Sequence, residues 1–83
     1  MTRFFIDSDD GAREVIDRHG FEYPDPESAL EAAYKTLHDM ARDQQGYTGR
    51  RRLAVSIRNG EGSTIYAATL SFEGRIADPD DEP

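Results

Sequence analysis

Pro24-Asp25-Pro26-Glu27 is the strongest local structural signal in the chain, because three consecutive residues each favour the start of a helix. Asp25 suits the position that caps a helix, since its carboxylate can accept a hydrogen bond from a free backbone N–H of the first turn. Pro26 suits the first helical position, where its missing N–H costs nothing, and Glu27 complements the positive end of the helix dipole. We therefore expect a helix to begin at Pro26.

The residues that follow repeat at helical spacing. Apolar side chains stand at i, i+3, i+4, i+7 and i+11, as Leu30, Ala33, Tyr34, Leu37 and Ala41. This spacing produces one apolar stripe on an amphipathic helix. Glycine commonly ends a helix, and Gly46 supplies one. The sequence therefore predicts a single helix over about residues 26–45.

Two strands are expected before the helix. Thr2–Ser8 combines aromatic and β-branched residues with approximate alternation, and Asp9-Asp10-Gly11 behind it is a turn signal. Arg13–Asp17 is a shorter strand candidate, so the two segments predict a hairpin. Phe21–Tyr23 is interpreted only as a short extended segment.

Two more strands are expected after the helix. Leu53, Val55 and Ile57 alternate with smaller or polar residues, and the turn-forming residues 59–62 lead to a partner strand at Thr64–Phe72. The element order is then ββαββ. We expect an α+β fold of two layers, with a four-stranded, mostly antiparallel sheet and one long helix on one face.

The predicted core consists of the helix stripe and the inward strand positions. Its members are Phe4, Ile6, Leu30, Ala33, Tyr34, Leu37, Leu53, Val55, Ile57, Leu70 and Phe72. A chain of this size buries only about 60% of its unfolded surface, so its stability is expected to be marginal. Self-association can compensate for the low stability of a small core, so a second copy of the chain is one expected partner, in a homodimer.

Composition excludes several classes of protein. The chain has 83 residues, 17 acidic and 10 basic side chains, a formal net charge of −7 and no cysteine. A disulfide scaffold and a cysteine-ligated metal site are thus excluded. No apolar run is long enough for a membrane span or a signal-peptide core, which predicts a cytoplasmic protein without a membrane partner. The acidic balance also argues against general nucleic-acid binding.

Charge is distributed unevenly along the chain. Residues 1–49 hold 11 acidic and 5 basic side chains, whereas residues 50–76 hold 2 acidic and 5 basic ones. We expect residues 1–76 to form a single domain and the acidic, proline-containing segment 77–83 to be a disordered tail. The cluster Arg50, Arg51 and Arg52 is the one place where an anionic partner could dock. A solvated basic strand that discourages aggregation is the simpler interpretation of this cluster.

No catalytic, metal or cofactor site is predicted. Asp7, Asp9 and Asp10 precede Gly11, but an EF-hand calcium loop needs its glycine one position later and a distal glutamate that is absent here. The two histidines are in different predicted elements, and no serine lies in a nucleophile-elbow context. We therefore expect a protein that is not an enzyme.

Several motifs together resemble a known family. Arg3-Phe4-Phe5-Ile6-Asp7 opens the chain, and Gly20-Phe21-Glu22-Tyr23-Pro24-Asp25 precedes the helix. This order resembles a group of short, uncharacterised, mostly alphaproteobacterial proteins that are known only as a domain of unknown function. The resemblance implies a bacterial, single-domain protein and supplies no catalytic residue. Ser28–Ala33 is also similar to the HicB-like antitoxin fold, although no separate DNA-binding segment is visible.

One helix cannot cover both sides of a four-stranded sheet, which predicts an open face. The outward strand positions are small or apolar, and they could contact a partner protein or a second copy: Phe5, Ala54, Ser56, Ile65, Ala67 and Thr69. We therefore expect a non-catalytic protein-interaction or regulatory module. Two alternatives stay open, namely an antitoxin-type regulator and an RNA- or phosphate-binding module that uses Arg50, Arg51 and Arg52.

Overall fold

The computed structural model describes residues 1–77. The predicted acidic tail 77–83 therefore lies outside the described residues from position 78 onward. The elements run in the order β1 (Thr2–Asp9), β2 (Glu14–Val15), β3 (Phe21–Tyr23), α1 (Pro26–Arg42), β4 (Gly49–Arg58) and β5 (Thr64–Gly74). The α+β class, with one helix and an antiparallel sheet, is as the sequence predicts.

All strand pairs in residues 1–77 are antiparallel. The sheet order is β2-β1-β4-β5, and β3 pairs with the first residues of β1. β4 aligns residues 54–58 with β1 on one side and pairs along its whole length with β5 on the other side. β5 therefore forms one edge of the sheet.

The predicted ββαββ order and the count of four strands are wrong in one respect. Phe21–Tyr23 is a fifth strand that pairs with Thr2–Phe4, so the order is βββαββ. Gly20 makes this return possible, because its backbone has a φ of 70° and an added Cβ would lie 2.9 Å from the carbonyl oxygen of Phe4. Only glycine accepts both the left-handed backbone and this close approach. The second strand is also shorter than predicted, at Glu14–Val15.

The start of α1 follows the prediction. The Asp25 carboxylate accepts a hydrogen bond from the Ser28 backbone N–H at 2.8 Å, and Pro26 occupies the first turn. The helix ends at Arg42, a few residues before the predicted boundary, and Gly46 adopts a φ of 83° in the turn that follows.

The core lies between α1 and the inner face of the sheet. Its buried members are Phe4, Ala29, Ala33, Leu37, Leu53, Val55 and Ile57. The prediction was wrong for Tyr34, which is 59% exposed, and for Leu70, which is 41% exposed. The helix buries the row Ala29, Ala33 and Leu37, which turns the neighbouring Tyr34 ring outward against His38. Leu70 stays open because α1 packs chiefly on β4 rather than on the edge strand β5.

Candidate interaction surface

The predicted arginine cluster is divided between the two faces of the sheet. Side chains alternate along a strand, so Arg50 and Arg52 lie on the face that α1 leaves uncovered, which we call the outer face. Arg51 lies on the opposite side, toward the end of the helix. A phosphate group could not be held by all three guanidinium groups from one direction.

Two of the three arginines already have partners. Arg50 forms an exposed ion pair with Glu73 on β5. The Arg51 guanidinium lies 4.0 Å from the centre of the Tyr47 ring and donates a hydrogen bond to the Gln44 side-chain oxygen at 3.3 Å. Glu73 also lines the open depression of ≈ 470 Å³ along this end of the hairpin, where its charge opposes an anion. Within residues 1–77, Arg52 alone of the cluster has no hydrogen bond or ion pair.

The predicted interface residues cluster on the outer face. Ala54 lies opposite Thr69, and Ser56 lies opposite Ala67, so these four small side chains form a continuous patch on β4 and β5. The patch lines a shallow groove of ≈ 200 Å³. Phe5 belongs to the same face but is half-buried under Arg58, whose guanidinium lies 5.1 Å from its ring centre. Ile65, near the irregularity that follows Ile57, is 47% exposed.

A hydrogen-bond network around Arg58 lies at the end of the outer face that is remote from the arginine cluster. Its guanidinium donates two hydrogen bonds to the Asp7 carboxylate, at 2.7 and 3.1 Å, and one to the Asp17 carbonyl at 2.8 Å. The backbone N–H of Asp17 donates to Asp7 at 2.9 Å. The Asp17 carboxylate accepts hydrogen bonds from the backbone N–H groups of Ile6 and Gly20. The network ties the segment between β2 and β3 to the sheet.

Both carboxylates of this network have lowered pKa values. The hydrogen bond from Arg58 lowers the pKa of Asp7, and this effect outweighs the cost of its burial. Burial raises the pKa of Asp17, but the backbone N–H groups of Gly20, Ile6 and His19 together lower it below its ordinary value. Both groups are therefore charged near neutral pH. Sequence reasoning missed this network because Asp7 and Arg58 are 51 positions apart.

The edge of β5 is the most unusual surface of the described chain. β5 has 11 residues and pairs only with β4, so one row of its backbone groups has no strand partner within residues 1–77. Nine consecutive residues, Thr64–Phe72, contain no charge, no proline and no glycine. Natural edge strands are commonly protected by charged residues, proline, bulges or shortness. Of these protections β5 has one irregularity near its start, where Ile65 is skipped in the register with β4, and one charge near its end, Glu73. The lack of charged residues and proline in this stretch can be read from the sequence. Its meaning is clear only when the structure shows that β5 is an edge strand.

The remaining polar groups serve local structure. The Asp10 carboxylate accepts hydrogen bonds from the backbone N–H groups of Ala12 and Arg13, and Asp9 accepts one from Gly11. These bonds order the turn between β1 and β2.

In residues 1–77 no three His, Cys, Asp or Glu side chains come together in a way that could hold a metal ion. The described part of the chain also has no helix with the length and hydropathy of a membrane span.

Within residues 1–77, fold and surface define a small α+β domain with one helix, an antiparallel sheet, an uncovered outer face and an edge strand that carries no charge over residues 64–72. The family model "Domain of unknown function (DUF6894)" matches residues 3–71, and the chain belongs to this family. The predicted resemblance to an uncharacterised domain family is thus confirmed at this level. No curated protein and no solved structure matches the chain.

Proposed function

We propose that this protein is a non-catalytic interaction module and that the edge of β5 receives a β-strand of a partner protein. The observation that supports the proposal is the edge itself: nine consecutive uncharged residues lie in a strand whose outer row of backbone N–H and C=O groups has no strand partner in the described part of the chain, residues 1–77. An added strand would satisfy these groups through regular ladder hydrogen bonds. The nine residues extend over about 30 Å, which is enough for a strand of ordinary length.

The side chains next to this edge would supply specificity. On the inner face, Tyr66 and Leu70 are 36% and 41% exposed, because α1 does not reach far over β5. On the outer face, Ala67 and Thr69 are small and exposed. A partner strand that alternates large apolar and small residues would fit both faces. Each ladder hydrogen bond contributes about 1 kcal/mol net, so apolar contact must supply the remainder of the affinity.

A regulator of the antitoxin type, located in a bacterial cytoplasm, is a narrower form of the same proposal. Such a regulator neutralises a protein partner, and the β5 edge gives that partner a place to pair. The identity of a captured protein separates this form from a general interaction module, because a toxin would have to be among the proteins retained.

An anion-binding module is the second candidate, and one observation favours it. Arg52 is exposed on the outer face and has no ion pair with another described residue. Its neighbours Arg50 and Arg51 are engaged by Glu73, Gln44 and Tyr47, so the site offers a single free guanidinium. RNA binding at low salt that disappears in Arg52→Ala would favour this candidate; no binding at low salt would remove it.

The main proposal is tested by capture from a lysate of the cells that make the protein. The blocked variant Ala67→Lys/Thr69→Lys places two charges beside the free edge. The matched control Ala12→Lys/Thr2→Lys makes the same two chemical changes at exposed positions elsewhere. We expect the wild type and the control to retain the same protein, and the blocked variant to lose it. Equal retention by all three proteins would contradict docking at β5.

A further inference from the structure

We infer that the strand received by the β5 edge belongs to a second copy of this chain, paired antiparallel about a two-fold axis that passes beside Ala68. This inference rests on the proposed function, because it names the partner of the same edge. It also fixes the register, since an axis at Ala68 places residue 67 opposite residue 69 of the other copy, and residue 66 opposite residue 70.

The symmetry of the uncharged stretch supports this register. Ala68 is the centre of Thr64–Phe72, and the register of β5 with β4 is regular from Tyr66 onward. The axis therefore pairs Tyr66–Leu70 with the same residues of the other copy in a regular ladder, and the irregularity at Ile65 falls opposite Ser71. Thr64 then lies opposite Phe72. Glu73, the first charged residue after this stretch, lies opposite the uncharged Ser63. The Glu73 carboxylate is already paired with Arg50 in its own chain. Two copies of an acidic protein can therefore meet at this edge without bringing like charges opposite each other.

Side-chain size agrees with the same axis. An antiparallel two-fold stands perpendicular to the sheet, so both helices lie on one side of a continuous sheet. On that side Tyr66 meets Leu70 of the second copy twice, and Ala68 meets its own equivalent. Pairs of aromatic and aliphatic residues across antiparallel strands are stabilising, whereas a large residue on the axis would crowd its copy. The pairing also covers the two large residues of β5 that the helix leaves exposed, Tyr66 and Leu70.

The interface is small, which sets the expected strength. Pairing of two nine-residue edges falls near or below the roughly 1,200 Å² at which stable interfaces begin. We expect a dissociation constant in the micromolar range and a reversible equilibrium. Sedimentation velocity from micromolar to submillimolar concentration covers this range.

A charge-swap experiment tests the pairing. Ala67→Lys/Thr69→Lys and Ala67→Glu/Thr69→Glu each place like charges directly opposite one another in a homodimer, because residue 67 faces residue 69. We expect wild-type protein to dimerise, each variant alone to stay monomeric, and an equimolar mixture of the two variants to dimerise again. Rescue in the mixture shows that both variants fold and pair at this edge.

A cysteine experiment tests the register. The chain contains no cysteine, so Ala68→Cys introduces a single thiol. An axis beside Ala68 brings the two Cβ atoms to about 5 Å, within reach of a disulfide under mild oxidation. We expect Ala68→Cys to cross-link at least tenfold faster than Ala12→Cys, an exposed control in the β1–β2 turn.

Three results would overturn the inference: a wild-type monomer at all concentrations, unchanged dimerisation of the charged variants, or equal cross-linking of the two cysteine variants. The proposed function fails differently. Suppose that the wild type is monomeric, that it captures another protein from the lysate, and that the blocked variant does not capture it. The edge then binds a strand of that other protein, and only the inference of pairing between two copies is wrong. If nothing is captured and no dimer forms, both are wrong.

Discussion

Asp7→Asn offers the sharpest test of how the sheet is held together. The substitution removes the negative charge that faces Arg58 but keeps the shape of the side chain. In the folded protein the Asp7 side chain is only 15% exposed and accepts two hydrogen bonds from the Arg58 guanidinium. The amide can accept only one of them, and it leaves the guanidinium without the carboxylate that forms its ion pair.

We expect the free energy of unfolding at neutral pH to fall by about 2–3 kcal/mol, since hydrogen bonds to charged groups contribute about 1.5–3 kcal/mol each. For a domain of this size that loss lowers the melting temperature by about 10–20 °C. Urea unfolding followed by circular dichroism measures the change. The segment between β2 and β3 loses its anchor as well, because the Asp17 backbone N–H also donates to Asp7.

Asp9→Asn is the matched control, because it makes the same chemical change one pleat further along β1. Asp9 accepts a hydrogen bond only from the Gly11 backbone N–H in an exposed turn, and an amide oxygen can replace it. We expect a loss within about 0.5 kcal/mol. Equal losses in the two variants would refute the role assigned to the Asp7–Arg58 pair. So would strict additivity of Asp7→Asn and Arg58→Met in a double-mutant cycle.

Further predictions concern pH, the chain reversal at residue 20 and the helix face. Because the folded-state pKa values of Asp7 and Asp17 lie below 3.8, their stabilisation is complete above that pH and is lost as the pH falls through the lowered values. Urea midpoints measured from neutral to strongly acidic pH should therefore decline less steeply in Asp7→Asn; a parallel decline would exclude this origin. Gly20→Ala should cost about 1–3 kcal/mol, since an added Cβ meets Phe4 and Phe5 in a left-handed backbone. Gly60→Ala is its control and should be near neutral, because no atom lies within 4 Å of the added Cβ. Tyr34→Ala should lower the free energy of unfolding by less than about 1 kcal/mol, because the side chain is exposed. A loss of about 3–5 kcal/mol would show that Tyr34 belongs to the core after all.

The helix could be predicted from the sequence because its signals are local. Asp25 caps the first turn, Pro26 begins the helix and Glu27 places a negative charge in the first turn, so three adjacent residues carry the information. Tyr34 was misplaced for a related reason. The spacing of apolar residues defines a broad stripe, but the centre of that stripe depends on what it packs against, and here the small residues Ala29 and Ala33 let the helix lie close to β4.

The third strand and the Arg58 network could not be predicted, because both depend on contacts between distant parts of the chain. Phe21–Tyr23 becomes a strand only when Gly20 turns it back onto β1. Asp7 acquires its role only when β1 and β4 align in register beside Arg58. Local composition contains neither piece of information.

The candidate surface was partly predictable. Alternation along β4 and β5 placed Ala54, Ser56, Ala67 and Thr69 on one face, as the register shows. The same alternation applied to residues 50–52 would have indicated that consecutive arginines point to opposite faces. The sheet order, however, decides which strand is an edge, and no single strand reveals that order.

The central claim is that the free edge of β5 pairs with β5 of a second copy, and amide hydrogen exchange of residues 64–72 tests it most directly. In dilute protein the outward N–H groups of this stretch should exchange rapidly. At submillimolar concentration they should slow in the wild type and stay fast in Ala67→Lys/Thr69→Lys, while β4 amides remain equally protected in both. Exchange of residues 64–72 that is identical at every concentration and in both proteins would contradict strand pairing between copies at this edge.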